Sequence, residues 1–285
     1  MSQSGPAAEE QRSRLALALG LLGLIAVLAC ILLVCAGAAS GPSMLVPARS
    51  GGWYGWMAGP LSSLGVSIDL QGFQTLTLIM CGGYALVLIC ARALPWLALA
   101  GAILAAHLIL LLGPPLLSQD VFGYLAFARL GVLHGLDPYT HFAAQAAGDP
   151  IFDLLGWPFL HSPYGPLFTL ASYGTAPLGL AGGLWALKAV TVLSSLGAIA
   201  LTARAAAAMG RSPRAAAAFV GLNPVLLELA VGGQHNDTLV LAAEAGALLA
   251  LTGKRARPRA GAAMLALGVG VKASAGLLLP FLVLS

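Results

Sequence analysis

Long apolar runs separated by short polar stretches make up most of the chain. Seven of these runs come close to or exceed the roughly 20 residues that an α-helix needs to cross a bilayer. They cover residues 15–38, 73–91, 94–114, 185–203, 214–231, 237–253 and 260–284. An eighth run, residues 166–184, is interrupted by Pro166, Pro177 and several glycines. The pattern predicts an all-α polytopic membrane protein with seven or eight membrane segments.

Composition supports this class. Of the 285 residues, 59% are hydrophobic and 8% are charged, whereas soluble domains carry roughly 25% charged residues. The first apolar run is too long for the core of a signal peptide, so we interpret it as a retained helix. The net charge of +4 lies in short clusters beside the apolar runs and does not indicate nucleic-acid binding. The four cysteines lie inside apolar runs without a CxxC spacing, which disfavours a metal site or disulfide framework.

The distribution of cations predicts the orientation. If residues 166–184 do not cross fully, ten cations face the cytoplasm and only Arg49 and Arg129 lie in outer loops. The cytoplasmic set comprises Arg12, Arg14, Arg92, Arg204, Arg211, Arg214 and the four cations of KRARPR at 254–259. The loop 115–165 and the QHND stretch at 234–237 then share the outer face, and residues 166–184 form a re-entrant or surface helix covered by protein.

The outer loop of about fifty residues is longer than a connector requires, which favours a functional role. Ser118 is predicted to cap a helix over residues 119–133 that lies at the outer interface. Tyr124 and Arg129 would be its solvent-facing anchors. GLDPY at 135–139 predicts an Asx-type turn at Asp137, and HSPYGP at 161–166 predicts a second rigid turn.

Asp120, in the SQD stretch, has two interpretations. A carboxylate in the first turn of a helix is favoured by the helix dipole, which is a purely structural role. The same dipole favours the ionised form, which suits a base or a group that orients a hydroxyl and argues against a general acid.

Further polar residues lie at the ends of, or within, apolar runs. His235, Asn236 and Asp237 indicate a polar cluster at the outer face, with a turn plus helix cap as the structural alternative. Glu244 follows Asp237 by seven residues and shares its helix face. Lys272 lies within the last apolar run, so it is either functional or paired with Glu244 or Glu228. Lys188 could extend to the interface, and His107 fits a packed histidine.

Four stretches, in this order, together resemble the polyprenol-phosphomannose-dependent α-1,6-mannosyltransferases of actinobacterial envelopes. These are SQDVFGYLAFARLGVLHGLDPY, HSPYGPL, NPVLLELAVGGQHNDTLV and VGVKASAGLLLPFL. The resemblance covers residues 115–285, and the first hundred residues match only as apolar helices. Members of that family are longer, so we expect the chain to be a fragment or a truncated relative.

The resemblance implies a GT-C helical bundle forming a single transmembrane domain over residues 1–285. Its parts would be N-terminal helices at 15–114, an outer catalytic loop at 115–165 and helices of the substrate groove at 166–285. The implied reaction moves mannose, with inversion, from polyprenyl-phosphate-mannose to a hydroxyl of a mannan or lipomannan acceptor at the outer face of the plasma membrane. Asp120 matches the family's catalytic base.

The implied binding groups for donor and acceptor combine this resemblance with the polar residues above. They are Ser118, Gln119, Tyr124, Arg129, Asp137, Tyr139, His161, Tyr164, Lys188, His235, Asn236, Asp237 and Lys272. No cofactor is expected, and neither GxGxxG nor a DxD pair occurs, which fits a lipid-linked donor. A divalent metal has no ligand cluster to support it. A transporter or flippase of a lipid-linked sugar, and a non-catalytic membrane subunit, remain alternatives.

Overall fold

The computed structural model describes residues 6–46, 55–252 and 256–280. Arg49, Lys254 and Arg255, three cations used in the charge argument, lie outside the described residues. The described residues form helices joined by turns, and none of them lies in a β-strand. The helices are α1 (Pro6–Ala39), α2 (Gly55–Ala58), α3 (Leu70–Cys90), α4 (Trp96–Leu112), α5 (Asp120–His134), α6 (Pro166–Ser172), α7 (Gly179–Ala208), α8 (Pro213–Gly221), α9 (Asp237–Leu251) and α10 (Pro258–Val271).

Three helical stretches of the described chain are long and apolar enough to cross a membrane: Glu9–Ala39, Leu70–Cys90 and Pro166–Ala208. Trp96–Leu112 and Pro258–Val271 are shorter apolar helices. Large apolar side chains are exposed along these elements, which suits contact with lipid. The protein is therefore a helical membrane protein, and seven or eight segments remains a prediction.

Close contacts between small residues hold the N-terminal helices together. A Cβ on Gly23 of α1 would lie 2.5 Å from the carbonyl oxygen of Gly83 in α3. Such small residues let helix backbones approach closely in lipid, where apolar burial supplies little driving force. A second core cluster joins α5, α6 and α7 through Phe122, Phe168 and Leu184.

Two predicted spans contain breaks in the helix, and whether they cross stays a prediction. Residues 214–231 form α8, a break at Leu222 and Asn223, and a second helical stretch that contains the π-helix Leu226–Val231. The Asn223 side chain accepts hydrogen bonds from the N–H groups of Val225 and Leu226, and proline has no N–H to continue α8. The run 260–284 breaks at Lys272, whose backbone is extended (φ −155°, ψ 129°) between α10 and a 3₁₀ helix at Ala273–Leu278.

The predicted break within residues 166–184 is confirmed. α6 is followed by a 3₁₀ helix at Tyr173–Leu178, which contains Pro177, and α7 begins at Gly179, six residues before the predicted start at 185. This broken segment packs against α5 and α7. Thr175 and Ala176 are buried in these contacts, whereas Gly174, Pro177 and Leu178 are exposed, so protein covers one side of the irregular backbone.

α5 has nearly the predicted bounds but not the predicted position. Its side chains are buried on several sides, including Phe122, Leu125 and Tyr124, the last only 2% exposed. A helix that is apolar all round belongs in a protein interior rather than at an interface. The predictions of Tyr124 and Arg129 as solvent-facing anchors are therefore wrong. The Arg129 side chain is 13% exposed and pairs with Asp149.

Candidate active site

Two loops meet where α5 and α9 begin. The Leu116 N–H donates to the carbonyl oxygen of Gly232 at 2.8 Å, which joins the segment before SQD to the segment before HND. Leu117 and Gln234, just ahead of these motifs, have left-handed backbones with φ of 59° and 53°. Non-glycine residues adopt this conformation at a cost, and it recurs at functional sites. Both turns direct the following polar residues toward one another.

Four charged or ionisable side chains form a chain of contacts at this junction. His235 Nδ1 lies 3.3 Å from Asp120 Oδ2 and 3.7 Å from Asp237 Oδ2. Lys272 Nζ lies 2.9 and 2.8 Å from the two carboxylate oxygens of Asp237. The order Asp120, His235, Asp237, Lys272 alternates acid with base, so each carboxylate has a basic neighbour. We call these four residues the acid–base chain.

His235 Nδ1 faces a carboxylate oxygen of both acids. An ionised carboxylate only accepts hydrogen bonds, so an Nδ1 that carries a hydrogen suits these contacts. Within the part of the chain that the structure describes, no hydrogen bond reaches Asp120 Oδ1. The Asp120 side chain is 20% exposed and that of His235 is 28% exposed. Asp120 thus presents an oxygen that can accept a proton from an incoming group.

The start of α5 holds Asp120 in place. Asp120 is the first residue of the helix, and its N–H donates to Ser118 Oγ at 3.1 Å. The cap occupies Gln119 rather than the predicted Ser118, but Ser118 still bonds the backbone at this end. The helix dipole favours the negative charge of Asp120 here.

Tyr124 fastens the HND segment to α5 and to the HSPYGP turn. Its hydroxyl accepts a hydrogen bond from the Asn236 N–H at 3.1 Å. Its ring packs edge-on against Tyr164 and Phe168, each at a centroid distance of 4.8 Å. Burial, and then the negative charge of Asp120, raise the pKa of the Tyr164 hydroxyl, so it stays protonated and can donate a hydrogen bond.

The HSPYGP turn is joined directly to the chain around Lys272. The Gly165 N–H donates to the Val271 carbonyl oxygen at 2.8 Å. A Cβ at Gly165 would overlap the backbone of Gly270 and lie 2.9 Å from the Val271 carbonyl carbon. Gly165 therefore permits the close approach that places Lys272 beside Asp237.

Two open cavities adjoin the acid–base chain. One of about 510 Å³ is lined by His235, Asp237 and the apolar side chains of Val225, Leu226 and Leu229. The other, of about 320 Å³, is lined by Asp237, Glu244 and Ser274 together with apolar residues. Both include Leu226, Ala230 and Asp237 in their walls. A polar end beside an apolar wall suits a ligand with a charged or hydroxylated head and a hydrocarbon tail.

The structure brings together the four stretches that carry the resemblance, but not every residue predicted for the site. Asp137 accepts from the Tyr139 N–H in the predicted Asx turn, and the Tyr139 hydroxyl lies 2.9 Å from the Tyr164 carbonyl oxygen and Thr169 Oγ1. His161 packs against the Phe142 ring at 5.7 Å. No described contact links these three residues to the acid–base chain.

Two predicted cationic ligands are engaged elsewhere. Arg129 Nε lies 2.8 Å from Asp149 Oδ1, and His134 also contacts that carboxylate. Lys188 is 1% exposed, and its ammonium donates to the Leu110 carbonyl oxygen at 2.9 Å. Extension of Lys188 to the interface is therefore wrong, because its amine is buried and bonded to backbone inside the protein.

Lys272 is paired, but not with either of the two glutamates predicted as its partner. Glu228 bonds Thr77 at 2.8 Å, and Lys272 pairs with Asp237 rather than with Glu228 or Glu244. Glu244 does share a cavity with Asp237, as its spacing predicts. His107 is buried and lies within bonding distance of the Ile103 carbonyl oxygen and Ser195 Oγ, which confirms the packed histidine.

Sequence reasoning missed Ser274 and Gln234. Ser274 follows Lys272 by two residues and lines a cavity with Asp237, a proximity that requires the unexpected break after α10. Gln234 is buried with its Oε1 unpaired, as are both amide atoms of Asn236. The QHND letters are the signal that could have included Gln234. Among the described residues no group of three or more His, Cys, Asp or Glu side chains has a metal-binding arrangement.

Comparisons with known proteins identify the family of this chain. Residues 17–285 match a family described as alpha-(1->6)-mannopyranosyltransferase, N-terminal domain. Alpha-(1->6)-mannopyranosyltransferase A of Corynebacterium glutamicum is 35% identical over 184 residues, which are 61% of this chain and 36% of that protein. The protein of the same name from Mycobacterium tuberculosis is 34% identical over 182 residues, 61% of this chain and 34% of that protein. No solved structure matches.

A protein from Mycolicibacterium smegmatis, named a probable alpha-(1->6)-mannopyranosyltransferase, is 36% identical over 139 residues, 46% of this chain and 25% of that protein. The matched segments span about a third of the length of the first two relatives. The family match, in contrast, covers almost all of the chain and includes every residue of the acid–base chain. The chain belongs to the alpha-(1->6)-mannopyranosyltransferase family.

Proposed function

We propose that this chain forms the catalytic part of a membrane glycosyltransferase that moves mannose from polyprenyl-phosphate-mannose to a hydroxyl of a mannan or lipomannan acceptor. The family membership supports mannosyl transfer. The single observation that carries the assignment of the site is the 3.3 Å contact between Asp120 and His235, which come from distant parts of the sequence. Asp120 is the proposed base, and the site is proposed to face the outside of the plasma membrane.

In the proposed reaction, the acceptor hydroxyl attacks the anomeric carbon of mannose as the bond from that carbon to the phosphate oxygen breaks. The transition state resembles an oxocarbenium ion. The hydroxyl proton passes to the free Oδ1 of Asp120, and polyprenyl phosphate leaves as an anion. A positioned base contributes typically about 10²–10⁴-fold to rate.

The cations of the acid–base chain would stabilise the leaving phosphate. His235 lines one of the cavities, and Lys272 pairs with Asp237, which lines both. Positive charge or hydrogen-bond donors are needed where phosphate charge develops. Phosphate is a good leaving group, so no protein acid is required. The apolar wall formed by Val225, Leu226 and Leu229 suits the first isoprene units of the donor.

The test uses membranes containing this chain, radiolabelled polyprenyl-phosphate-mannose and a synthetic dimannoside acceptor. Asp120→Asn should lower transfer about 10²–10⁴-fold while donor binding is retained, because only the proton acceptor is removed. Asp69→Asn is the matched control, since asparagine can keep the exposed helix cap that accepts from the Gly72 N–H. Equal transfer by wild type and Asp120→Asn would contradict the proposal.

The same variant separates the alternatives. A flippase carrying Asp120→Asn should still move lipid-linked mannose across vesicles, and a non-catalytic subunit should still assemble in the membrane. In an enzyme of the proposed type, Asp120→Asn should abolish product formation without changing lipid movement or assembly in the membrane. Trans-bilayer movement of labelled donor that is independent of acceptor, with no Asp120-dependent product, would favour the transporter.

A further inference from the structure

Another cavity, larger than the two beside the acid–base chain, lies elsewhere in the molecule. It has a volume of about 720 Å³ and lies between α4, α7 and α8. Its walls are apolar and include Ile103, Leu104, Leu196, Ile199 and Ala200. Trp96, which begins α4, lines one end and is 43% exposed. Exposed tryptophans of membrane proteins concentrate at the level of lipid headgroups.

Positive charge is confined to the same end of this groove. Arg204 near the end of α7 and Arg214 at the start of α8 both line it, with Ser212 between them in sequence. Both arginines are exposed, and no acidic residue lines the groove. Among the described residues neither guanidinium forms an ion pair with a carboxylate.

One hydrogen bond orients Arg214. Its Nη1 donates to the Arg92 carbonyl oxygen at 3.3 Å, which leaves the other N–H groups of the guanidinium available to a ligand. A hydrocarbon-lined groove with two unneutralised guanidiniums at its headgroup end is complementary to a molecule with acyl chains and one negative phosphate. Basic pockets between membrane helices bind anionic lipid headgroups in this way.

We propose that the groove between α4, α7 and α8 binds an anionic phospholipid, with its phosphate at Arg204 and Arg214 and its acyl chains along Ile103, Leu196 and Ile199. The site is separate from the proposed sugar-transfer site. α4 has 17 residues, so its Trp96 end lies about 25 Å along the helix from the end that leads to Asp120. A lipid-linked donor with its phosphate at these arginines could not place its sugar beside Asp120.

The experiment measures retained lipid on the full chain purified in a mild detergent after incubation with palmitoyl-oleoyl-phosphatidylglycerol or palmitoyl-oleoyl-phosphatidylcholine. We expect bound phosphatidylglycerol, but little phosphatidylcholine, in native mass spectra. Arg204→Gln with Arg214→Gln should reduce the phosphatidylglycerol-bound fraction at least about tenfold, since both neutralising charges are lost. Arg204→Lys with Arg214→Lys should restore much of it.

A matched control removes two exposed cations outside the groove, Arg12→Gln with Arg211→Gln, and should leave binding unchanged. Ala200→Trp keeps both arginines but fills the groove, and should also release the lipid. Each variant is compared at equal monodispersity on size exclusion. Three results would overturn the proposal: full retention by the groove variants, equal loss in the control, or equal binding of phosphatidylcholine. Displacement of phosphatidylglycerol by equimolar polyprenyl phosphate would also overturn it.

Discussion

The Asp120 carboxylate is held by two features that favour its negative charge. It occupies the first position of α5, where the helix dipole is positive, and one oxygen contacts His235 at 3.3 Å. The structural and functional interpretations of Asp120 are therefore compatible rather than exclusive. In its proposed role, this partly exposed carboxylate would receive a proton from an acceptor hydroxyl without prior reorganisation.

Lys272 can act on the leaving phosphate or merely neutralise Asp237, and substitution separates these roles. We expect Lys272→Met to lower kcat/KM for the lipid-linked donor by about 10²-fold, the loss typical of one electrostatic contact to developing charge. Lys272→Arg should retain most of the rate because it keeps the charge. Steady-state kinetics with a dimannoside acceptor provide the measurement.

The double variant Lys272→Met with Asp237→Asn is the informative control. The single variant Lys272→Met leaves the Asp237 carboxylate without its lysine partner. Asp237→Asn removes that charge, so thermal stability should recover toward wild type while transfer stays low. Recovery of transfer together with stability would mean that Lys272 only balances Asp237, and would contradict the role in leaving-group stabilisation.

At the scale of elements, the contact between the HSPYGP turn and the end of α10 positions Lys272. Gly165→Ala should lower the free energy of unfolding by about 1–3 kcal/mol, because the added methyl group overlaps backbone that cannot rotate away. Gly174→Ala is the control, since a Cβ there meets nothing within 4 Å. Equal melting temperatures for both variants in detergent would contradict this prediction.

Asp149 holds α5 against the following part of the loop 115–165 through Arg129 and His134. Burial raises the pKa of Asp149, but hydrogen bonds from Arg129, His134 and the Ile151 N–H outweigh it, so the pKa lies below its usual value. A carboxyl group with a depressed folded-state pKa stabilises fully above its unfolded value of about 4, and this stabilisation is lost as pH falls through the folded value.

We therefore expect Asp149→Asn to be less stable than wild type by about 1–3 kcal/mol at pH 7, the range for hydrogen bonds to charged groups. The difference should begin to shrink as the pH falls below about 4, where the unfolded-state carboxyl group protonates, and should vanish once the pH is below the lower folded-state pKa. Melting temperatures from pH 3 to 7 provide the measurement, with Asp137→Asn as an exposed control. A difference that does not depend on pH would contradict the assignment.

The elements that could be predicted are those marked by local sequence signals. The bounds of α4, α5 and α9 follow from apolar runs and turn residues, and the break at Pro177 follows from proline. The breaks at Asn223 and Lys272 could not be inferred from hydropathy, because both sit inside runs that stay apolar. The position of Tyr124 at the interface was predicted from a helix with few polar residues, but a helix buried on several sides has the same composition.

For the whole molecule, charge placed Asp120 and His235 at one face, and the structure brings them into contact. No local sequence pattern encodes which distant side chains meet. The pairing of Lys272 with Asp237 and of Arg129 with Asp149 therefore required the fold. The family resemblance identified the motifs that converge but not their order of contact. The partners of the long cationic side chains were the least predictable, because backbone carbonyls and loop carboxylates compete for them.

The orientation of the molecule is the remaining prediction at this scale. Ala147 lies exposed in the outer loop and Ala208 lies exposed at the end of α7, near the arginines. In a Cys81→Ser background, which removes the exposed native cysteine, a membrane-impermeant maleimide should label Ala147→Cys on intact cells. It should label Ala208→Cys only after permeabilisation, because arginine-rich loops remain cytoplasmic.

The opposite labelling pattern would place Asp120 and the arginine groove on exchanged faces and would contradict transfer from a donor presented outside. Labelling of both sites on intact cells would instead indicate that α7 does not cross. Because α7 joins the HSPYGP side of the molecule to Arg204, its crossing is what separates the proposed sugar-transfer site from the proposed lipid site. The two labels therefore test the spatial relation on which both proposals depend.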